Sequence, residues 1–346
     1  MIKKKIIIVG NSHPSSIEIM FYNSFKNLNQ DVHFLDPNKF LFKIINNKFF
    51  IKIFRNIYFY FYNRIIFKFL NKQLQQSVIF FFKGDSLNAK FLNKIKTKFT
   101  KNKFINYNTD NPFYNNNNSN LKIKSCIKYF DYYFTWSKEI KDEIITNKLH
   151  SKGRILYLPF AYDSKYRKKL SLNKLIINNK ILFYGSWDKE RELILSQLDP
   201  HKIDVYGNAW ENSSRTFKAK YNIYFKDIYG AKLANLIRRY GACLNINRPQ
   251  VGEAHNMRLF EVTGYGGLLI TKMTKETNSF FKNKDNCVLI YKDLNELKKT
   301  VRLDLNQLFL QKMRKTSYKK TKYHSYDNRC DEILTILKND KTLYKR

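Results

Sequence analysis

The run Lys5–Asp36, KIIIVGNSHPSSIEIMFYNSFKNLNQDVHFLD, decides the fold. Ile6-Ile7-Ile8-Val9 is a short β-branched strand that stops at Gly10-Asn11-Ser12-His13-Pro14. A helical pattern begins near Ser15 or Ser16, with Ile19, Met20, Tyr22, Phe25 and Leu28 spaced for one face. Asp31–Asp36 then reads as a second strand. Strand, loop, helix and strand within about 30 residues is the spacing of a parallel βαβ unit.

The alternation continues outward from that unit. Ser77–Phe82 (SVIFFF) reads as a buried strand, Leu87–Phe99 as a helix, and Phe104–Asn108 as a strand closed by Thr109-Asp110-Asn111-Pro112. Tyr132–Thr135 is a further strand, Ser137 caps a helix reaching to about Lys148, and Ile155–Pro159 ends this half. Residues 161–178 turn rich in Lys, Asn and Ser and read as a linker. The pattern then restarts, with strands at Ile181–Tyr184, Ile203–Tyr206, Ala242–Asn245, Leu268–Thr271 and Val288–Tyr291. Helices are expected over Asp188–Leu198, Ala231–Tyr240 and Met257–Gly264, and near Asn295–Leu303, Asn306–Lys315 and Asp331–Lys338. Strands that are apolar along their whole length need cover on both faces, so the fold class is α/β with two doubly wound parallel sheets. The expected domains are 1–165 and 175–320, with residues 321–346 packing back on the first. Ligands of such sheets bind at the carboxyl ends of the strands, which places the expected site in a cleft between the two domains.

Composition fits this reading. Of 346 residues, 43% are hydrophobic, enough for two cores. The four cysteines, Cys126, Cys243, Cys287 and Cys330, are far apart, which argues against a disulfide framework or a cysteine zinc site and for a reducing cytoplasm. Net charge is +36, but only 14 of the 64 basic residues are Arg. Abundant Lys, Asn, Ile, Phe and Tyr share A/T-rich codons, so genome composition accounts for part of the charge. The basic start followed by Ile6–Gly10 is too short for a secretory signal core. In Phe49–Leu70, Lys52, Arg55, Arg64 and Lys68 break the apolar run too often for a spanning helix. That stretch reads either as a domain helix or as a basic aromatic helix lying on an anionic membrane surface.

The chemistry concentrates in Leu244–Thr271, LNINRPQVGEAHNMRLFEVTGYGGLLIT. A strand leads through Gly252 to a helix starting near Met257, and a glycine-rich turn leads into the next strand. Arg258 and Glu261 are one turn apart and share a helix face. Unpaired N–H groups at the helix start suit a diphosphate, Arg258 adds a bidentate clamp, and Glu261, facing an open cleft, can accept from two ribose hydroxyls.

These residues resemble the donor-binding segment of GT-B glycosyltransferases, and the CgeB-like group in particular. The likeness rests on Asn247-Arg248, Asn256-x-Arg258-x-x-Glu261 and Gly264-x-Gly266-Gly267. Glu253 and Glu261 also have the E-x7-E spacing of retaining members. Tyr184-Gly185-Ser186-Trp187-x-x-x-Arg191 and Val205-Tyr206-Gly207-x-x-Trp210 resemble the first strands and loops of that donor domain. Lys83-Gly84-Asp85, Asn108–Pro112, Leu158–Ala161 and His324-x-x-x-x-Arg329 extend the likeness through most of the chain. One departure is the loop after the first strand, reduced to Gly10 and followed by His13-Pro14. The resemblance implies a GT-B fold of two tandem Rossmann-like domains facing each other across a cleft. It implies transfer of a sugar from a nucleoside diphosphate donor to a cell-surface glycan, a lipid-linked sugar or a protein.

On this reading the donor side comprises Gly185, Ser186, Trp187, Arg191, Asn247, His255, Arg258 and Glu261. Glu253 is the candidate beside the transferred sugar. Asp110 is the candidate base of an inverting reaction, and His13 a candidate acceptor contact. Each has a plainer reading, as a loop carboxylate, a satisfied structural histidine or a core aromatic. No metal-holding D-x-D, H-x-x-x-H, Walker A loop or nucleophile elbow is present, so neither a metal nor a further cofactor is expected. The rival is a non-catalytic nucleic-acid or polyanion-binding protein, suggested by the charge. Its lysines are spread along the chain with no recognition motif, so no specific nucleic acid is expected as a partner. The expected location is the cytoplasm, with peripheral contact at the inner face of the membrane.

Overall fold

The β-branched and aromatic runs form two parallel six-stranded sheets in the computed structural model, which describes residues 5–42, 55–73, 76–84, 86–115, 118–168, 178–282, 287–303 and 307–340. Residues 49–54 of the basic aromatic stretch (Lys52 among them), Asp85 and residues 169–177 of the expected linker lie outside these. The chain divides into two units, Met1–Pro159 with Arg329–Arg346, and Phe160–Asn328.

The first unit carries β1 (Lys5–Val9), β2 (Val32–Leu35), β3 (Ser77–Phe82), β4 (Lys103–Asn108), β5 (Tyr132–Thr135) and β6 (Ile155–Tyr157), in the order β2-β1-β3-β4-β5-β6. Every residue of β3 is buried, as a sheet covered on both faces requires. Helix α1 (Ile17–Asn27) starts at Ser16, whose hydroxyl accepts from Ile19 N. The ring of Phe21 on α1 meets those of Phe80 and Phe82 on β3 at 5.6 and 5.2 Å. Around the sheet lie α2 (Pro37–Phe42), α3 (Arg55–Asn71), α4 (Ala89–Lys98), α5 (Asn118–Cys126) and α6 (Lys138–Thr146).

The second unit carries β7 (Asn178–Tyr184), β8 (Ile203–Tyr206), β9 (Asn222–Tyr224), β10 (Tyr240–Asn245), β11 (Leu269–Lys272) and β12 (Leu289–Tyr291), in the order β12-β11-β10-β7-β8-β9. Its helices are α7 (Lys189–Leu195), α8 (Arg215–Lys220), α9 (Gly230–Arg239), α10 (Arg258–Gly264), α11 (Lys275–Phe280), α12 (Leu294–Arg302) and α13 (Gln307–Lys320). Phe183, Val205, Trp210, Leu244 and Ile270 form its core. Arg314 of α13 is fully buried and donates to Arg238 O at 2.9 Å, to Gly241 O at 3.0 Å and to Tyr240 O, tying the helix to the entry of β10.

The last helix, α14 (Tyr326–Asn339), returns to the first unit from Arg329 onward. Arg329 Nε donates to Pro159 O at 2.9 Å, Cys330 Sγ donates to Phe21 O at 3.6 Å, and Asp340 pairs with Arg154 at 3.3 Å. Helices α2, α5, α8 and α11 and strand β9 have no counterpart in the sequence reading. They are short, and α5 begins in the Asn115–Asn118 run, where weak helix propensity hides a helix held by packing. Among the described residues no helix is long and apolar enough to cross a membrane.

Two loops of the second unit cross at van der Waals contact. Gly207 has φ 150°, and a Cβ there would stand 2.1 Å from the carbonyl oxygen of Gly185. That oxygen also accepts from Trp210 Nε1 at 2.9 Å. Because the obstacle is backbone, Gly207→Ala should cost about 2–4 kcal/mol through strain and overpacking. Urea denaturation measures it, and a variant as stable as the wild type would show that the crossing is not fixed.

Candidate functional site

The site grows from the order of the second sheet. β7 and β10 are neighbours, and the chain runs outward from β7 to β8 and β9 but the opposite way from β10 to β11 and β12. Their carboxyl ends therefore flank a topological switch point. After Tyr184 the chain turns at Gly185, and the Asp188 side chain caps α7 by accepting from Arg191 N at 3.0 Å. This turns the Arg191 side chain back across the loop. Its Nη1 donates to Ser186 O at 2.8 Å and its Nη2 to Ile246 O at 3.4 Å, joining the ends of β7 and β10.

Two more arginines converge here. Arg258 Nε donates to Tyr184 O at 2.9 Å, and its guanidinium lies 4.8 Å from the Tyr184 ring centre. Gly185, at φ 151°, leaves the room: a Cβ there would stand 2.5 Å from Arg258 Nη2 and 3.3 Å from Arg191 Nη1. Arg248, more exposed, brings Nε to 3.3 Å from Asp188 Oδ2, the oxygen that also lies 3.4 Å from Arg191 Nε. Burial, with the charges of Arg258 and Arg248, pushes Arg191 down to about 9. Arg191 and Arg248 thus share the Asp188 carboxylate, Arg258 comes close to Arg191 over Gly185, and a doubly charged anion would relieve the repulsion among the three.

Glu261 corrects the sequence reading. It was expected to face open solvent, yet it is only 5% exposed. The Tyr184 hydroxyl donates to its Oε2 at 3.2 Å. Burial raises its carboxyl to about 7, against the opposing effects of Arg258 and the Tyr184 hydrogen bond. The start of α10 also differs from expectation. Arg258 N donates to Asn256 Oδ1 at 3.1 Å, Leu259 N to Asn256 O at 3.2 Å, and Phe260 N and Glu261 N to Met257 O at 3.2 and 3.0 Å. The first turn has its N–H groups engaged, so the guanidinium groups supply the positive charge. Asn256 Nδ2 also donates to Asn245 Oδ1 at 2.8 Å and to Asn247 Oδ1 at 2.9 Å, fixing the loop between β10 and α10.

The remaining candidates are spread out. Trp187 packs partly against the core of the second unit and donates Nε1 to Glu192 at 2.8 Å. His255 is buried, and its Nε2 accepts from Phe160 N at 3.2 Å, which leaves Nδ1 as donor to Glu276 at 2.5 Å. Both ring nitrogens are thereby used in holding the unit together. Glu253 is exposed and its carboxylate accepts from Lys275 N at 3.0 Å. In the first unit, His13 is exposed with Nδ1 2.7 Å from Ser15 Oγ, and Asp110 pairs with Lys83 at 3.3 Å. Among the described residues no group of three His, Cys, Asp or Glu stands together as a metal site. Sequence reasoning missed Asp188, Tyr184 and Asn245 as site-shaping residues. Tyr184 and Asn245 stand inside the stretches quoted above, and Asp188 at the capping position before α7, but nothing in the sequence marked their roles.

With this geometry goes a likeness to known proteins. Residues 189–335 match the model of a family described as glycosyl transferase-like. The domain match leaves the first unit largely uncovered, but solved structures extend over it. HepE of Anabaena in complex with UDP and glucose is similar at a TM-score of 0.67 and 11% identity, over 97% of this chain and 99% of that one. A glycosyltransferase of Rickettsia africae gives 0.67 at 15% identity over 100% of both chains. A UDP-forming trehalose-phosphate synthase of Burkholderia xenovorans gives 0.66 at 10% identity, over 98% and 99%. At such identities the likeness is one of fold, and that fold is GT-B, with two Rossmann-like domains. No curated protein matches the chain in sequence.

The buried carboxyl gives a test by titration. Glu261 has its folded value near 7, above its ordinary 4.5, so the native state keeps a proton that the unfolded chain releases between those values. Stability should therefore fall as pH rises through that window, by up to about 3 kcal/mol. Glu261→Gln should flatten this slope and be the more stable protein above pH 7. Parallel pH slopes in denaturant unfolding of the two proteins would remove the claim.

Proposed function

We propose that the protein is a CgeB-like glycosyltransferase that moves a sugar from a nucleoside diphosphate to a glycan, lipid-linked or protein acceptor, as in polysaccharide biosynthesis. The second unit is the donor side and the first the acceptor side, and the enzyme works in the cytoplasm. The observation that carries this reading is the cluster of Arg191, Arg248 and Arg258 at the switch point, with Asp188 as its acidic partner.

In this reading Arg258 and Arg248 hold the diphosphate, and Arg191 positions the Gly185-Ser186-Trp187 loop against the end of β10. Glu261 accepts from the ribose hydroxyls, and Asn247 sets the loop beside them. As the bond between sugar and phosphate breaks, negative charge grows on the leaving diphosphate. Preorganised guanidinium groups stabilise that charge without a divalent ion. Glu253 is the residue proposed beside the transferred sugar. Asp110 and His13 are proposed on the acceptor side, with Asp110 taking the acceptor proton if configuration inverts. His255, with both nitrogens engaged, supports the loop that carries Glu253 and Asn256. UDP is the first donor nucleotide to try, because HepE of Anabaena was solved with UDP and glucose.

Calorimetric titration with UDP, GDP, ADP and dTDP tests the donor side. One of them should bind, and Arg258→Ala should weaken it by about 10- to 100-fold, the scale of lost charged hydrogen bonds. Binding to an ionised Glu261 expels a proton. Affinity should therefore be about tenfold weaker at pH 6 than at pH 8, with that difference abolished in Glu261→Gln. Equal indifference to all four diphosphates would refute the reading. Transfer assayed in excess EDTA should proceed at nearly the same rate, whereas activity lost to EDTA and restored by Mg²⁺ would overturn the metal-independent mechanism.

A further inference from the structure

Acidic residues are scarce in one part of the first unit. Residues 37–130 hold 18 Lys and Arg against two acidic residues, Asp85 and Asp110, whereas the rest of the chain holds 46 against 26. A genome-wide excess of lysine would raise the basic count everywhere, and it would not remove Asp and Glu from one region. Three helices from this stretch, α3, α4 and α5, contain no acidic residue.

The three helices adjoin. Phe67 of α3 lies 5.8 Å from Phe99, at the end of α4, and the ammonium groups of Lys94 and Lys98 each stand 4.8 Å from its ring centre. Lys122 of α5 stands 4.7 Å from the ring of Phe59. On α3 itself, Tyr58, Tyr62, Ile66 and Leu70 recur every fourth residue and are buried. The opposite face shows Ile57, Tyr60 and Phe61, exposed by 50, 59 and 42%, followed along the same stripe by exposed Arg64 and Lys68.

We infer that this face docks the protein on a bilayer containing anionic phospholipid. Ile57, Tyr60 and Phe61 enter the interfacial layer, and Arg64, Lys68 and the lysines of α4 and α5 meet the headgroups. Adjacent aliphatic and aromatic side chains gain from hydrocarbon, which a phosphodiester backbone in water does not offer. This favours lipid over nucleic acid as the occupant. The inference stands on the first unit and does not depend on the donor chemistry of the second.

The test is co-sedimentation of the full chain with phosphatidylcholine vesicles, with and without phosphatidylglycerol, in the presence and absence of competing DNA. The protein should pellet with the anionic vesicles only, and high salt should release it. Arg64→Gln with Lys68→Gln should weaken partitioning about 30-fold, at about 1 kcal/mol for each basic residue. Ile57→Ser, Tyr60→Ser and Phe61→Ser together should weaken it at least tenfold at unchanged melting temperature, and Tyr60→Ser alone serves if the triple variant does not fold. Binding to neither vesicle, equal binding to both, or binding that both variants leave intact would overturn the inference. So would DNA binding that survives the aromatic substitutions while vesicle binding is absent, or a dimer in solution that the triple variant dissolves.

Discussion

The close passage of the Gly185 and Gly207 backbones is the constraint on which the second unit's site depends. With no Cβ on either residue, the turn after β7 lies against the turn after β8 and presents its carbonyl to Trp210. The same missing Cβ at Gly185 admits the guanidinium of Arg258 and the tip of Arg191. A core tryptophan and two cationic groups are thus held by one turn. The position of the charge follows from backbone packing and from the switch in strand order, more than from any long-range attraction.

Charge in this turn is kept at a cost. Arg191 is 4% exposed and sits among positive neighbours, while Glu261 is buried with the Tyr184 hydroxyl as donor to its carboxylate. Both groups are less stable in their charged forms than they would be in water. Buried charge of this kind adds little to folding and supplies a preorganised field for a ligand of the right sign and shape.

Much of the architecture is legible in the sequence because its strands are continuous apolar runs. SVIFFF at Ser77–Phe82 forms the buried strand it was read as, and Ser137 caps the helix it was expected to cap. The short helices were hidden because runs of six to nine residues are too short to display a helical period. At the site, the proximity of Arg258, Glu261 and Gly185 could be argued from a motif. The meeting of Arg248 with Asp188, 60 positions apart, exists only once β7 and β10 are paired. His255 shows the opposite difficulty, since its place in the motif says nothing of where its nitrogens point. Burial of Glu261 could not be read either, because it depends on Tyr184 from a distant strand.

The path of α14 has a consequence for biosynthesis. The segment Phe160–Asn328 is continuous in sequence, but the first unit is completed only by residues from Arg329 onward. During translation Phe21 O, Pro159 O and Arg154 meet their partners Cys330, Arg329 and Asp340 only when the last helix has been made. The first unit thus has all six strands early in synthesis but gains its closing contacts only after the whole second unit has been made.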